Sequence, residues 1–367
     1  MRIALVLPGG LDRSGRTRVV PSLLWLVERL AVGRQLHVFV VDYSEQPCTY
    51  QLLGATIRDL GRVGGPPGLR RFQIARRLAR AVSLHGPFDV IHSYLGMPAG
   101  VAATSVARRA DVPVVVTLDA GELVAIDEIA YGLQRRWFDR VAIRRTLASA
   151  SVITVATRYM AALPALADRA VKIVPIGVDP RLFPASPAPP GPPWRLVRVG
   201  SINRVKDNTL LLRALVQLPD VRLDLVGEDT LGGAMQRLAE ELGVSGRVTF
   251  HGFQPSDRLA TFYGSAHVNV VTSHHEAANV TMLEAACVGR PTVGTRVGYV
   301  ADWAPERAVA IGGRDPTALA DAIGALLRDG DRRQRLAAAA REWALAHDAD
   351  WTATTFSDLY ARLVRPR

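Results

Sequence analysis

The chain reads as an α/β protein built from two parallel-sheet halves. Three observations predict this. Short apolar runs alternate with longer amphipathic segments from end to end, the pattern of strands that return through helices. One proline-rich stretch, PASPAPPGPP at 184–193, interrupts the alternation and cannot join a sheet. At 367 residues the chain is long for one domain and suits two of ordinary size. The expected organisation is a first domain over 1–183, a linker at 184–193, a second domain over 194–348 and a helical segment over 349–367.

In the first half, RIALVLP reads as a buried strand, followed by the loop GGLDRSGRT and a helix through VVPSLLWLVERLAVG. LHVFVVD is the next strand and FQIARRLARAVSLHG a helix with a basic outer face. The pairs FDVIHS with MPAGVAATSVARRA, and VPVVVTLD with the basic helix QRRWFDRVAIRRTLASA, repeat the pattern before SVITVA and VKIVPIGVDPRLF. After the prolines it restarts with WRLVRVGS, a helix from about Asp207, VRLDLVGE, a helix from about Gly232, RVTFHGF, a helix near Asp257 and HVNVVTS. RAVAIGG follows residues 274–294, and the remainder reads as helix. Ligands of such sheets bind at the C-terminal strand ends, so a cleft between the halves is the expected site.

Composition limits the function classes. Two distant cysteines, Cys48 and Cys287, match no metal spacing and suit a reducing, cytoplasmic compartment. MRIALVLPGG has neither the long apolar region nor the cleavage site of a signal peptide. No apolar run approaches the roughly 20 residues that span a bilayer. The net charge of +11, mostly arginine, fits phosphorylated small molecules, anionic lipid or solvated helix faces. Nucleic acid is disfavoured, because no basic motif interleaved with aromatics is present.

The stretch HHEAANVTMLEAACVGRPTVG, 274–294, holds the strongest chemistry. Asn279 suits the N-cap of a helix over Val280–Val288, with Gly289 at its C-terminal turn and Pro291 beyond. Unpaired N–H groups at the start of that helix make a seat for phosphate. Glu276 on the preceding loop and Glu284 within the first turns are placed to accept hydrogen bonds from sugar hydroxyls; a capping acid and a surface acid are the plainer alternative. In VGSINRVKD, Arg204 and Lys206 follow a strand, where a cation meets a diphosphate, although a solvated helix start explains them too. Gly227, ahead of Glu228 and Asp229, ends another strand, and those acids equally suit a cap. Gly9 and Gly10 give either a close backbone approach to a ligand or a simple tight turn. His274 and His275 are adjacent and seldom point the same way, so no metal site is expected.

These elements resemble the family 4 glycosyltransferases, retaining enzymes of GT-B architecture. VGSINRVKD, LDLVGED, VTFHGF and HEAANVTMLEA followed by GRPTVGT carry the likeness in the second half. The strand–Gly-Gly loop, DVIHSYLGMPAG and the basic helix before SVITVAT carry it in the first. The resemblance implies two Rossmann-like domains facing a cleft, with the last helix returning to the first domain. It implies that Lys206 contacts the donor diphosphate, Glu276 the transferred sugar and Glu284 the ribose. Ala278, Asn279 and Val280 would present main-chain N–H groups, with Asn279 in the usual glycine position. Gly252 and Phe253 fall at the base pocket, and Gly9, Gly10 and Gly227 line the donor side.

Two positions depart from the pattern. Ser201 stands where the family usually has an arginine, leaving Arg204 to supply that charge. Asp119 stands where it often has a histidine, so Asp119, Glu122 and His92 are the acceptor-side candidates, unless Asp119 merely caps the next segment. The implied reaction is retaining, hexosyl-type transfer from a UDP- or GDP-sugar to a small-molecule or lipid-linked hydroxyl, with Lys206, Glu276 and Asp119 catalytic and no cofactor or metal required. The alternatives are a nucleotide-sugar epimerase on the same fold and a non-catalytic sugar-nucleotide-binding subunit. The arginine-rich segments 70–80 and 135–145 also suit peripheral contact with an anionic membrane.

Overall fold

The computed structural model describes residues 1–364, so the last three residues of the segment 349–367 lie outside the described residues. The chain divides into two units, Met1–Ile176 with the chain from Ala349 onward, and Gly177–Asp348.

The first unit runs β1 (Arg2–Leu7), α1 (Pro21–Ala31), β2 (Gln35–Val40), β3 (Cys48–Leu52), β4 (Ala55–Asp59), α2 (Pro67–His85), β5 (Val90–Tyr94), α3 (Val101–Ala110), β6 (Val114–Leu118), α4 (Trp137–Ser149), β7 (Val152–Val155), α5 (Arg158–Ala161) and β8 (Val171–Ile173). Its eight strands are ordered β3-β4-β2-β1-β5-β6-β7-β8. β5 and β6 are buried along their whole length, as strands covered on both faces are. β3 pairs antiparallel with β4, the one departure from the all-parallel expectation in this sheet. The sequence reading passes over this hairpin for a physical reason. Its turn residues, Leu53 and Gly54, both take positive φ (50° and 78°), but Leu-Gly lacks the Asn-Gly or Asp-Gly signature of such turns. CTYQL also alternates between half-buried and exposed positions, so no apolar run marks it.

The second unit runs β9 (Trp194–Val199), α6 (Asn208–Val216), β10 (Val221–Val226), α7 (Ala234–Glu241), β11 (Val248–Phe250), α8 (Ser256–Ser265), β12 (Val268–Val271), α9 (Val280–Val288), β13 (Thr292–Thr295), α10 (Gly298–Trp303), β14 (Ala308–Ile311), α11 (Pro316–Arg328) and α12 (Gly330–Ala346). Its sheet is parallel, ordered β11-β10-β9-β12-β13-β14. Leu196, Leu211, Leu223, Val268, Val270 and Leu319 belong to one core packed about this sheet. Helix starts carry the capping residues that the sequence supplies: Asp207 accepts from Leu210 N, Asp315 from Thr317 N and Ala318 N, and Asp329 from Arg332 N. The proline-rich stretch 184–193 lies within this unit, and the boundary falls before it, at Ile176–Gly177. Arg290, fully buried, accounts for its attachment: it donates to the carbonyls of Ser186 (3.1 Å) and Pro187 (2.7 Å).

α13 (Ala349–Leu363) belongs to the first unit and packs on α1. Thr352 Oγ1 donates to Pro175 O at 2.9 Å, and Tyr360 lies fully buried beside β5.

Candidate functional site

In the second sheet the chain leaves β9 to lay β10 and β11 on one side, then returns to lay β12, β13 and β14 on the other. The loops following β9 and β12 therefore diverge from adjacent strands, the place where open α/β sheets hold ligands. Ser201, Arg204 and Lys206 occupy the first loop; Glu276, Ala278 and Asn279 occupy the second. Bonds to main-chain carbonyls stitch the two together. His274 N donates to Val205 O at 2.8 Å, and Thr272 Oγ1 donates to Lys206 O at 2.9 Å. Asn203 caps the short 3₁₀ turn Arg204–Lys206 by accepting from Lys206 N, which fixes the base of the lysine.

Lys206 Nζ and Ser273 Oγ each reach Glu276 Oε1 at 2.5 Å. Burial pushes the Glu276 carboxyl up, but Lys206, Ser273 and the more distant Arg198 outweigh it and hold it below the ordinary range. An ammonium has three donors, so the ion pair leaves Lys206 able to meet a second acceptor. Gly298, at φ 51°, packs against this loop; a Cβ there would stand 3.0 Å from Glu276 Cβ and 2.6 Å from Ala278 O. Sequence reasoning missed Ser273 and Gly298, which carry no pattern of their own.

α9 spans the expected residues. Asn279 sits at φ 85° and Gly289 at φ 90°, both left-handed, as an Asn N-cap in a glycine-like conformation and a C-terminal glycine require. The expectation of open amides at the helix start is narrowed, because Asn279 Oδ1 accepts from Met282 N and from Thr281 Oγ1. Val280 begins the helix, half-buried, and Ala278 is buried. Glu284 is enclosed on the same helix and accepts from Tyr263 OH at 2.7 Å. Burial raises it to about 7, against the opposing hydrogen bond.

The neighbouring strand ends are tightly built. Gly227, at φ 149°, leaves no room for a side chain, since a Cβ would lie 2.2 Å from Gly200 O. Asp229 accepts from Leu231 N and Gly233 N at 2.7 Å each, which holds the turn ahead of α7, while the N-cap of that helix, Gly233, has no side-chain cap of its own. Gly252 faces open space at φ 63°, and Phe253 beside it is 54% exposed. Ser201 and Arg204 are exposed.

In the first unit, Gly9 and Gly10 follow β1 in a closed turn: Val20 N donates to Gly10 O at 2.9 Å, and side chains at 9 and 10 would meet Tyr43 and Val20. Asp119 is half-buried at the end of β6. Glu122 is buried and accepts from Gly96 N (3.0 Å) and Ala120 N (2.8 Å); burial raises its carboxyl although these amides work against the shift. Those bonds tie the loop after β6 to the loop after β5. His92 is fully enclosed on β5, with Nδ1 2.5 Å from Tyr360 OH and Nε2 2.7 Å from Thr117 Oγ1. Burial lowers it to about 3, so it is a neutral ring with both nitrogens engaged inside the core. A cavity of about 1230 Å³ opens at the other end of this sheet, beside Phe88, Asp89, Arg109 and Pro113, away from the C-terminal strand ends.

Residues 181–343 match the family "glycosyl transferases group 1", and residues 19–179 match the "glycosyl transferase 4-like domain". The D-inositol 3-phosphate glycosyltransferase of Xylanimonas cellulosilytica is 31% identical over 320 residues, covering 79% of this chain and 75% of that protein. The fold is shared with sucrose-phosphate synthase from Thermosynechococcus elongatus, at TM-score 0.83 and 21% identity over 99% of both chains. Anabaena HepE in complex with UDP-glucose superposes at TM-score 0.73 and 15% identity, over 99% of this chain and all of the other. Two Rossmann-like units of GT-B type, and matches across both, assign the chain: it belongs to the family 4 glycosyltransferases.

Proposed function

We propose that the protein transfers a hexosyl unit from a nucleotide diphosphate sugar to a hydroxyl acceptor, with retention of configuration. One observation carries this reading: the Lys206–Glu276 pair lies at the strand crossover of the second sheet, immediately ahead of the α9 N-terminus. A diphosphate seated there meets the Lys206 ammonium and the first amides of α9, a fixed positive environment where negative charge develops as the sugar departs. Because the protein itself supplies that positive charge, no divalent metal is required. Glu276, kept ionised, accepts from sugar hydroxyls, and Glu284 from the ribose. Gly252 and Phe253 take the base. On the acceptor side, Asp119 orients the attacking hydroxyl. The likeness to HepE, captured with UDP-glucose, supports a UDP-sugar, and the name of the Xylanimonas relative points to a polyol phosphate among the acceptors to try first. Membership of a transferase family favours neither an epimerase nor a binding subunit.

The test is turnover of UDP- and GDP-sugars by wild type, Lys206→Ala and Glu276→Ala, with the product anomer read by NMR. Folded variants that consume donor at the wild-type rate would sink the assignment, and an inverted product would sink retention.

A second observation favours peripheral contact with a membrane. On the first unit, Phe72 and Trp137 are 63% and 68% exposed, and Leu69, on the same helix as Phe72, is 51% exposed. Arg71 joins α2 to α4 by pairing with Asp139 and stacks over Phe138, and the same two helices and the residue before α4 carry exposed arginines at 70, 76, 77, 80, 136, 140 and 144. Aromatic groups among cations suit an anionic headgroup layer and a lipid-linked acceptor. No helix among the described residues is long and apolar enough to cross a membrane. Vesicle co-sedimentation that ignores anionic lipid content, or Phe72→Ala and Trp137→Ala, removes this reading.

A further inference from the structure

Arg198 is a charged residue inside a core strand. It lies on β9, the first strand laid down in the second sheet, and is only 3% exposed. Its neighbours Leu196 and Val197 are fully buried core. A guanidinium in such a place is costly unless its charge and donors are met. Nη1 donates to the carbonyls of Gly200 and Ser201 (3.3 Å to the latter), curling the side chain back beneath the loop that leads to Lys206. Nε and Nη2 make no such bonds, and neither is among the side-chain nitrogens sealed from solvent without a partner. Among the described residues Arg198 has no ion-pair partner. Glu276 is near enough to stabilise its charge, but the Glu276 carboxylate is already held by Lys206 at 2.5 Å. Burial lowers the guanidinium only to about 10, so it keeps its charge at neutral pH. Lys206, Arg198 and Glu276 therefore sum to one surplus positive charge at the end of β9, with guanidinium donors to spare.

We infer that Arg198 is a diphosphate-binding residue of the donor site, a forked cation delivered from within strand β9 beneath the exposed Ser201. This deepens the donor reading of the preceding subsection and rests on it. A guanidinium presents two parallel N–H groups, which match adjacent oxygens of a phosphate, and the two backbone carbonyls hold its fork in place before the ligand arrives. Lys206 then meets the same group as a point charge from the loop. Exposed Arg204 is not needed for this task. The position is easily overlooked because RLVRV reads as an ordinary strand with two arginines, and only the burial of Arg198 beside Leu196 and Val197, against the half-buried Arg195, betrays it.

The experiment is calorimetric titration of the full chain with UDP and GDP, each set against its bare nucleoside. Wild type binds one diphosphate more tightly than the nucleoside. Arg198→Met lowers that diphosphate affinity roughly 10- to 100-fold, the size of a lost charge-assisted bond, and leaves the nucleoside affinity unchanged. A merely structural arginine would weaken both alike. Arg198→Met with Ser201→Arg recovers most of the loss, because the cation returns from the loop above. Should Arg198→Met not fold, Arg198→Lys keeps the charge without the fork and loses about fivefold for the diphosphate alone. A folded Arg198 variant that binds diphosphate as tightly as wild type, or a loss seen in Arg204→Ala instead, overturns the inference. A wild type that binds neither diphosphate overturns the donor reading beneath it.

Discussion

Lys206 Nζ and Glu276 Oε1 lie 2.5 Å apart although 70 residues separate them in the chain, and this pair closes the junction between the β9 and β12 loops. Glu276 is buried, so removal of its partner leaves a carboxylate sustained only by Ser273 and the field of Arg198. Breaking one side of a buried pair costs about 3–5 kcal/mol; Lys206 keeps a quarter of its side chain in solvent, so Lys206→Met is expected nearer 1–3 kcal/mol. Lys206→Met with Glu276→Gln costs less than the two single changes added together, since no charge is then stranded. Denaturant unfolding measures all three, and additivity within about 0.3–0.5 kcal/mol would show that the pair is not coupled.

Asn279 serves two local demands at once, a left-handed backbone and a side-chain cap for Met282 N. Asn279→Gly keeps the first and loses the second, a cost of a few tenths of a kcal/mol. Asn279→Ala loses the cap and strains the backbone as well, for about 2 kcal/mol in total. Equal unfolding midpoints for the two variants would mean that the conformation of residue 279 is not held in solution.

His92 and Glu284 give opposite pH dependences, one in each unit. His92 is lowered from 6.5 to about 3, so between these values the unfolded chain takes up a proton that the folded unit refuses. Its contribution is complete above pH 6.5 and is lost as pH falls towards 3. Glu284 is raised from 4.5 to about 7, so here the folded unit holds the extra proton. Its contribution is complete below pH 4.5 and is lost as pH rises through 7. The two slopes cancel between about pH 4.5 and 6.5, leaving a flat maximum. Glu284→Gln is expected to match wild type near pH 4.5 and to exceed it above pH 7 by on the order of 1–3 kcal/mol. Thermal unfolding from pH 4 to 8.5 tests this, and a variant no more stable at pH 8 than wild type refutes it.

Local chemistry made much of the second unit legible. The boundaries of α9 follow from Asn279, Gly289 and Pro291, and Lys206 and Glu276, matched to a family pattern, do meet in space. What stayed hidden depends on long-range pairing. Nothing local shows that Tyr360 closes over His92 from 268 residues away, and a histidine in a strand reads as readily as a ligand contact as a core ring. Glu122 looked available for a hydroxyl because its amide partners, Gly96 and Ala120, come together only once β5 and β6 are adjacent. Arg198 was masked by the strand around it.

The proline-rich stretch 184–193 makes the same point in testable form. Its composition alone suggests a spacer, yet one arginine anchors it. Arg290 spends every N–H on a carbonyl: Nε on Tyr263 (3.0 Å), Nη1 on Ser186 and Gly289 (3.1 Å each), and Nη2 on Pro187 (2.7 Å) and Gly264 (3.0 Å). The chain ahead of β9 is thereby fastened to the ends of α8 and α9, the helix that carries Glu284. Lysine has neither the planar fork nor enough donors to replace these bonds, so Arg290→Lys strands several buried carbonyls and is expected to cost about 3 kcal/mol or more. The loss should appear first as local opening, because the Ser186 and Pro187 carbonyls lose their guanidinium donors and the stretch there keeps the main-chain bond from Ser186 N to Val288 O at 3.1 Å. Limited proteolysis of Arg290→Lys under native conditions is therefore expected to cut near residues 184–190 well before the unit unfolds, while wild type resists. Cleavage of wild type and variant at equal rates would mean that the stretch behaves as a tether and that Arg290 merely fills space.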